Sequence, residues 1–270
     1  MINFPFAKIN LGLHVVAKRA DGFHAIETLF YPVALHDVLE VLPSDTFSIR
    51  LYGLHVEGNA EENLCVKAYR LLQEKFKIPP VSIHLYKNIP TGAGLGGGSS
   101  DAAAMLKILN DLFSLQLSVE QLEFYAAQLG SDCPFFIHQK PMFATGRGEV
   151  LSVSEINLQS YFIVLAKPSL FVSTADAYSG VTPKQPKQPL LQKLSAPIDQ
   201  WKNELVNDFE ISVFEKFPLL AQLKQQFYNF EATYAAMSGS GATIFGLFDN
   251  EEKAINAAQQ IPHVIWQGVL

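Results

Sequence analysis

An α+β fold is what this 270-residue sequence predicts, and two periodicities carry the prediction. Over Ala7 to Val15, and again from Val81 to Lys87, apolar residues recur at every second position, the period of a half-buried strand. Beyond Asn63, Ser99 and Ser118 they recur at three- and four-residue spacing, the apolar stripe of an amphipathic helix. A third observation concerns glycine: five of the chain's 17 fall in the seven residues from Gly92 to Gly98, where a strand pattern gives way to a helical one.

Taken in order, Ala7, Ile9, Leu11, Leu13 and Val15 form one face of an opening strand, with Lys8 and Asn10 together on the other. Arg19 to Gly22 is a turn, and the β-branched and aromatic stretches Phe30 to Val41 and Phe47 to Tyr52 continue as sheet. Asn63 opens a helix carrying Leu64, Ala68, Leu71 and Leu72, which must stop before Pro79 and Pro80. Val81 to Lys87 is a strand, the glycine run a loop, and Ala102, Met105, Leu106 and Leu109 a helix starting at Ser99. Ser118 and Gln121 make a capping box for the next helix, closed by Gly130. The polar turn Ser131-Asp132-Cys133-Pro134 follows. The chain changes unit near Glu149 to Ile156, dividing it into 1–153 and 154–270. Tyr161 to Ala166 is a strand, Thr182 to Pro197, with four prolines, an exposed extended loop, Thr243 to Phe248 a strand and Glu251 to Gln260 a closing helix.

Composition excludes several functions. Hydrophobic residues make up 49% and charged residues only 17%, against about 25% in ordinary domains, so a real core forms and disorder is excluded as the main state. A net charge of -6 has the wrong sign for a protein whose partner is a nucleic-acid backbone. Cys65 and Cys133 lie far apart and form neither a redox pair nor a zinc set, so they read as neutral thiols in a reducing compartment. Lys8 and Asn10 interrupt the apolar start, which is thus no signal peptide, and the longest uncharged stretch, Ala232 to Phe248, holds three glycines and is too short for a membrane span. A cytoplasmic protein is expected.

The glycine loop points to phosphate. Glycines let backbone N–H groups close on an anion at positive φ, and a helix starting behind them adds its positive end. Gly92, Gly94 and Gly97 satisfy G-x-G-x-x-G, but a dinucleotide site needs a strand with an acid after the helix, and another helix follows here. A Walker loop needs Lys after its last glycine, and Ser99 stands there instead. The H-R-D and D-F-G motifs of protein kinases are absent, as is a G-x-S-x-G elbow at Ser238. A plain glycine-rich turn would not need so many residues of such entropic cost.

Pro90-Thr91-Gly92-Ala93-Gly94-Leu95-Gly96-Gly97-Gly98-Ser99-Ser100 closely resembles the phosphate loop of the GHMP small-molecule kinases, and Ser238-Gly239-Ser240-Gly241 resembles their late glycine motif. Ala7-Lys8-Ile9-Asn10-Leu11, the segment Arg19 to Thr28 and Gly130-Ser131-Asp132-Cys133-Pro134 resemble one branch of that family, which phosphorylates a cytidine-diphosphate-linked methylerythritol. Gly146-Arg147-Gly148-Glu149 and Asn207-Asp208-Phe209-Glu210 also look like family segments. The likeness runs from Ala7 to about Phe248.

The resemblance implies a two-lobed α+β fold with the active site in the cleft between lobes, ATP and Mg²⁺ as cofactors, and a small-molecule alcohol as acceptor. It makes Lys8 and Asp132 the catalytic pair. Chemistry agrees: a carboxylate accepts the hydroxyl proton, an ammonium offsets charge on the transferring phosphoryl, and a loose transition state asks more of positioning than of basicity. Pro90 to Ser100 would hold the phosphates, with Asn63 and Lys87 near the nucleotide. Ser99 or Ser100 can offer the metal a hydroxyl, but no dedicated carboxylate ligand is evident, and the scattered histidines rule out a zinc enzyme. For the cytosine base the resemblance implies Phe23 and Tyr178 as stacking partners, at about 1–3 kcal/mol per base, with His24, Asn10 and Thr174 as polar contacts. Phe23 stands where many relatives have Tyr. Two other readings stay open: a GHMP kinase for homoserine, mevalonate or a sugar, and a nucleotide-binding module without catalysis.

Overall fold

The computed structural model describes residues 1–270. The first half of the chain runs β1 (Ile2–Asn3), β2 (Phe6–Lys18), β3 (His24–His36), β4 (Val38–Pro43), β5 (Ser48–Gly53), α1 (Leu64–Phe76), β6 (Val81–Lys87), α2 (Gly97–Leu112), α3 (Val119–Leu129), β7 (Met142–Thr145) and β8 (Val150–Val153). The second half runs β9 (Phe162–Ala166), α4 (Thr174–Ser179), α5 (Leu190–Leu194), α6 (Trp201–Glu204), α7 (Phe209–Lys216), α8 (Pro218–Asn229), β10 (Tyr234–Met237), β11 (Ile244–Phe248), α9 (Glu251–Gln260) and β12 (Val264–Val269). The mixed α+β reading of the sequence agrees with this order.

Packing divides the chain into two units interleaved in sequence: residues 1–7, 35–91 and 96–139 form the first, and 8–34, 92–95 and 140–270 the second. The division expected after residue 153 is one along the sequence. Packing follows another, because β2 and β3 each lie mostly in the second unit but have an end in the first.

The first unit holds a sheet of order β1-β4-β6-β5, with β4 antiparallel and β5 parallel to β6. Alternation along β6 explains its register: Val81, Ile83 and Leu85 are fully buried while Tyr86 is exposed. Helices α1 and α2 pack together, and α2 buries Ala102, Ala103, Met105, Leu106 and Leu109. Asn63 caps α1 by accepting from the Cys65 amide at 2.9 Å, and the helix closes at Lys77, ahead of the prolines. Both bonds of the capping box at Ser118 and Gln121 are made, and Gly130 ends α3. Helix α2 starts two residues earlier than expected, at Gly97, because Gly96 already turns the chain into it.

The second unit contains the sheets β2-β3-β7-β8 and β10-β11-β9-β12. Its core sets Val164, Ala166, Ala235, Met237, Ile244 and Phe248 of the latter sheet against Phe209, Val213, Leu220, Leu223 and Phe227 of α7 and α8. Thr182 to Pro197 is not extended throughout: α5 forms inside it because Leu190 and Leu194, one helical turn apart, both find buried positions. No helix of the chain is long and apolar enough to cross a membrane.

Candidate functional site

Lys8 lies on β2 with 3% of its surface exposed, so it is no solvated strand lysine. Its Nζ donates to Asn10 Oδ1 at 2.6 Å and to the carbonyl oxygen of Gly94 at 2.9 Å, and lies 5.1 Å from the centre of the Phe30 ring. The period-2 geometry of a strand puts Lys8 and Asn10 side by side, as expected. Asn10 Nδ2 donates to Thr28 Oγ1 at 2.9 Å, and Thr28 in turn donates to the Gly12 carbonyl at 2.6 Å. Both ends of the Asn10 amide are therefore engaged inside the protein, and its carbonyl end faces the Lys8 ammonium.

The glycine loop lies in both packing units. Gly92, Gly94 and Gly96 take φ values of +62°, +77° and +72°, the left-handed region open to glycine. Ala93 and Leu95 are buried anchors between them. Gly94 has a second reason to be glycine: a Cβ there would lie 2.0 Å from the carbonyl oxygen of Ser238. The late motif Ser238-Gly239-Ser240-Gly241 thus packs on Gly94, and Ser238 Oγ donates to the Gly94 carbonyl at 2.8 Å. Asn207 Nδ2 fixes that motif by donating to the carbonyls of Met237 and Gly239, each at 2.8 Å. Glu210 accepts from the Met237 amide at 2.8 Å and from Lys224 at 2.6 Å. Asp208 accepts from the Val15 amide at 2.8 Å, with His14 Nδ1 3.4 Å away.

In the first unit, Gly97 and Gly98 open α2 behind Gly96, with Gly98 exposed at the helix N-terminus, Ser99 half-buried and Ser100 buried. Asp132 precedes the 3-10 turn Cys133–Ile137, where its side chain makes no capping bond. Cys133 and Ser99 both approach Gly130, which brings the Asp132 turn beside the first turn of α2. Burial pushes the Cys133 thiol up to about 12 and the Cys65 thiol well above its ordinary value, so both stay neutral, as read from the sequence.

The first unit also carries a cavity of about 470 Å³ whose lining includes Asn63, Lys87, Thr91 and Gly98. Ile49 and Leu51 supply apolar wall. Glu57, Glu62 and Asp101 also line it, so the cavity joins an apolar wall to a polar one beside a helix N-terminus, an arrangement that suits a nucleobase with its phosphates directed at the helix. Lys87 is buried between two carboxylates: Nζ donates to Asp101 Oδ2 at 2.6 Å and to Asp37 Oδ2. Burial alone would discharge it, but Asp101 and Asp37 outweigh that effect and raise its pKa above the ordinary lysine value.

Of the residues expected to contact the acceptor, the structure stacks His24 on Tyr178 with centroids 4.8 Å apart and planes at 18°, and Tyr178 meets Phe209 edge-on. Phe23 is 56% exposed, with the Arg147 guanidinium carbon 5.0 Å from its ring centre. Thr174 is the exposed first residue of α4, behind the cap Ser173. Sequence reasoning missed Asp37 and Asp101. A signal was present for the second, since Asp101 shares a helix face with Met105 and Ile108, where an acid is out of place unless paired.

Comparison with known proteins gives consistent matches. The family described as GHMP kinases N terminal domain matches residues 63–140, and GHMP kinases C terminal matches 193–264. The chain is 52% identical to a 4-diphosphocytidyl-2-C-methyl-D-erythritol kinase of Bacteroides fragilis over 257 residues, 94% of each chain. It is similar to a crystal structure of 4-(cytidine 5'-diphospho)-2C-methyl-D-erythritol kinase, with TM-score 0.83, 34% identity and coverage of 97% of this chain and 95% of that one. A homoserine kinase from Cytophaga hutchinsonii, 19% identical over 98% of this chain and 93% of its own, shares the fold at TM-score 0.66.

Proposed function

From the fact that this chain belongs to the GHMP kinases, in the branch of the 4-diphosphocytidyl-2-C-methyl-D-erythritol kinases, we propose which of its residues carry the reaction. The reaction is ATP-dependent phosphorylation of the 2-hydroxyl of 4-diphosphocytidyl-2-C-methyl-D-erythritol, a step of the non-mevalonate route to isoprenoid precursors. The observation that carries the residue assignment is the Lys8 ammonium, buried and hydrogen-bonded to the phosphate loop at Gly94.

Asp132 accepts the proton of the acceptor hydroxyl, and Lys8 offsets charge on the transferring phosphoryl. The Asp132 turn lies beside the first turn of α2, at the end of the phosphate loop. Gly92 to Ser100 present amides to the phosphates, while Asn63, Lys87, Thr91 and Gly98 receive the nucleotide, with Pro90 leading into the loop. Phe23 offers an open face to the cytosine ring, His24 and Tyr178 form a stacked wall, and Thr174 and Asn10 contribute polar edges. A bound Mg²⁺ would supply charge neutralisation to the phosphate oxygens. The chain gathers no group of three or more His, Cys, Asp or Glu side chains fit to hold a metal. A hydroxyl of Ser99 or Ser100, at the start of α2, would hold the ion beside the phosphates. Both cysteines are free and buried, in keeping with a cytoplasmic enzyme.

Turnover is to be measured with ATP and Mg²⁺ against the cytidine-diphosphate-linked alcohol, homoserine, mevalonate and a sugar. Phosphorylation of the first alone is expected, and turnover of another acceptor in its place overturns the substrate. Lys8→Ala and Asp132→Asn are each expected to lower kcat by about 10²–10⁴-fold with the fold retained. Full turnover in either variant removes that residue from the mechanism.

A further inference from the structure

Lys87 is the last residue of β6, and two carboxylates from distant parts of the first unit converge on its ammonium. Asp37, fully buried between β3 and β4, accepts from Lys87 through Oδ2, while its Oδ1 accepts from the amides of Asn88 at 2.6 Å and Ile89 at 2.8 Å. Those two residues lead the chain from β6 toward the glycine loop. Asn88 Nδ2 adds a bond to the His36 carbonyl at 3.1 Å. Asp101, in the second turn of α2, accepts from the same ammonium through Oδ2. Lys87, Asp37 and Asp101 are each 3% exposed or less, so these bonds are made largely out of solvent. The ammonium also lies against the start of the helix, since a Cβ on Gly97 would come within 3.3 Å of Nζ.

Two ends of the phosphate segment are therefore tied to one point. Its approach, Asn88 and Ile89, hangs on Asp37, its helix hangs on Asp101, and Lys87 joins the two carboxylates. A single free ammonium lining a nucleotide cavity would act as a charge for the phosphates, whereas one held by two acids carries no net positive charge to offer. The geometry points to Asp37 and Asp101 as positioning residues for nucleotide binding: they lock Lys87 beside the cavity and thereby fix Asn88 and Ile89, the approach to the glycine loop, relative to the start of α2. This rests on the reading of that cavity as the nucleotide site.

The test separates geometry from folding and from the choice of acceptor. Asp101→Asn keeps an oxygen acceptor for Lys87, whereas Asp101→Leu removes it while keeping a side chain branched at Cγ, and Asp37→Asn removes the charge facing Lys87. Direct binding of a non-hydrolysable ATP analogue, without acceptor, and steady-state kinetics are measured on variants whose circular dichroism and melting show a folded chain. Asp101→Leu and Asp37→Asn are expected to raise the analogue Kd and the KM for ATP about 10-fold or more, with kcat and the acceptor KM within about twofold of native, and Asp101→Asn to restore near-native affinity. A merely structural role would lower the active fraction, and so kcat, without moving KM. Unchanged analogue affinity in folded Asp101→Leu, or a fall in kcat alone, overturns the proposal. Should Asp101→Leu fail to fold, Asp37→Asn decides by the same criterion. If the native protein binds the analogue but phosphorylates no cytidine-diphosphate-linked alcohol, the substrate reading fails while the affinities still judge these two residues.

Discussion

Lys8 Nζ and Ser238 Oγ donate to the same carbonyl oxygen, that of Gly94, at 2.9 and 2.8 Å. Three segments far apart in sequence, the opening strand, the phosphate loop and the late glycine motif, thus meet at one backbone atom. Lys8 has two possible duties there, holding the loop and acting on the phosphoryl group, and Ser238 shares only the first.

Ser238→Ala separates them. It removes the neutral bond to the Gly94 carbonyl, which keeps Lys8, and a longer 3.4 Å contact with Asn10 Oδ1, a loss of about 1 kcal/mol of stability and less than about 10-fold in kcat. Lys8→Ala, measured beside it, is expected to lose far more activity than Ser238→Ala at comparable melting temperature. Equal losses of activity in the two variants would assign Lys8 to anchoring and end its catalytic role.

Gly94→Ala meets two penalties at once. The residue must hold φ of +77°, and its Cβ would lie 2.0 Å from the Ser238 carbonyl oxygen, a backbone atom that cannot swing aside. Strain of this kind costs of the order of 1–3 kcal/mol. Thermal unfolding should show a clear drop, accompanied by loss of ATP-analogue affinity. Gly98→Ala, where the nearest atom to a Cβ is 3.7 Å away, is the control and should melt near the native temperature. Equal melting of the two variants would contradict the close approach of the loops.

The contrast between these two glycines shows what the sequence could and could not reveal. Period-2 alternation placed Lys8 beside Asn10, and the capping box at Ser118 appeared as read, because both depend on residues two or three apart. Nothing in the residue types around them distinguishes Gly94 from Gly98, yet Gly94 takes φ of +77° and touches Ser238, 144 residues away, while Gly98 does neither. Asp37 was hidden for the same reason: its partners Lys87, Asn88 and Ile89 are 50 to 52 residues on. Likewise the helix α5 stayed illegible among the prolines of Thr182 to Pro197, because only tertiary burial of Leu190 and Leu194 favours it.

Phe23 tests the acceptor side. With 56% of its surface exposed and only Arg147 over its ring, it contributes little to the core. Phe23→Ala should therefore leave the melting temperature nearly unchanged. It should raise KM for the cytidine-diphosphate-linked alcohol by about 5- to 150-fold, the equivalent of about 1–3 kcal/mol of lost stacking, with KM for ATP unaffected. Phe23→Tyr keeps the face and should behave as native. Unchanged acceptor KM in Phe23→Ala would remove the residue from the binding of the base.

The carboxyl of Asp101 sets a pH dependence of stability. Burial pushes it up to about 8, against the pull of Lys87, and the neighbouring Asp37 adds to the rise. The folded chain thus holds this proton more tightly than the unfolded chain, whose carboxyl titrates near 3.8. Its favourable contribution is complete below the unfolded value and is lost progressively as pH rises through the folded one. Asn cannot ionise, so Asp101→Asn removes that slope while keeping an acceptor for Lys87. The stability of the variant relative to native should accordingly grow between pH 5 and pH 8, by at least about 1 kcal/mol, which shifts melting by about 2–4 °C in a chain of this size. The comparison is made by denaturant or thermal unfolding of both proteins across that range. A difference that stays constant from pH 5 to pH 8 would mean that Asp101 is ionised throughout, with Lys87 alone offsetting both acids.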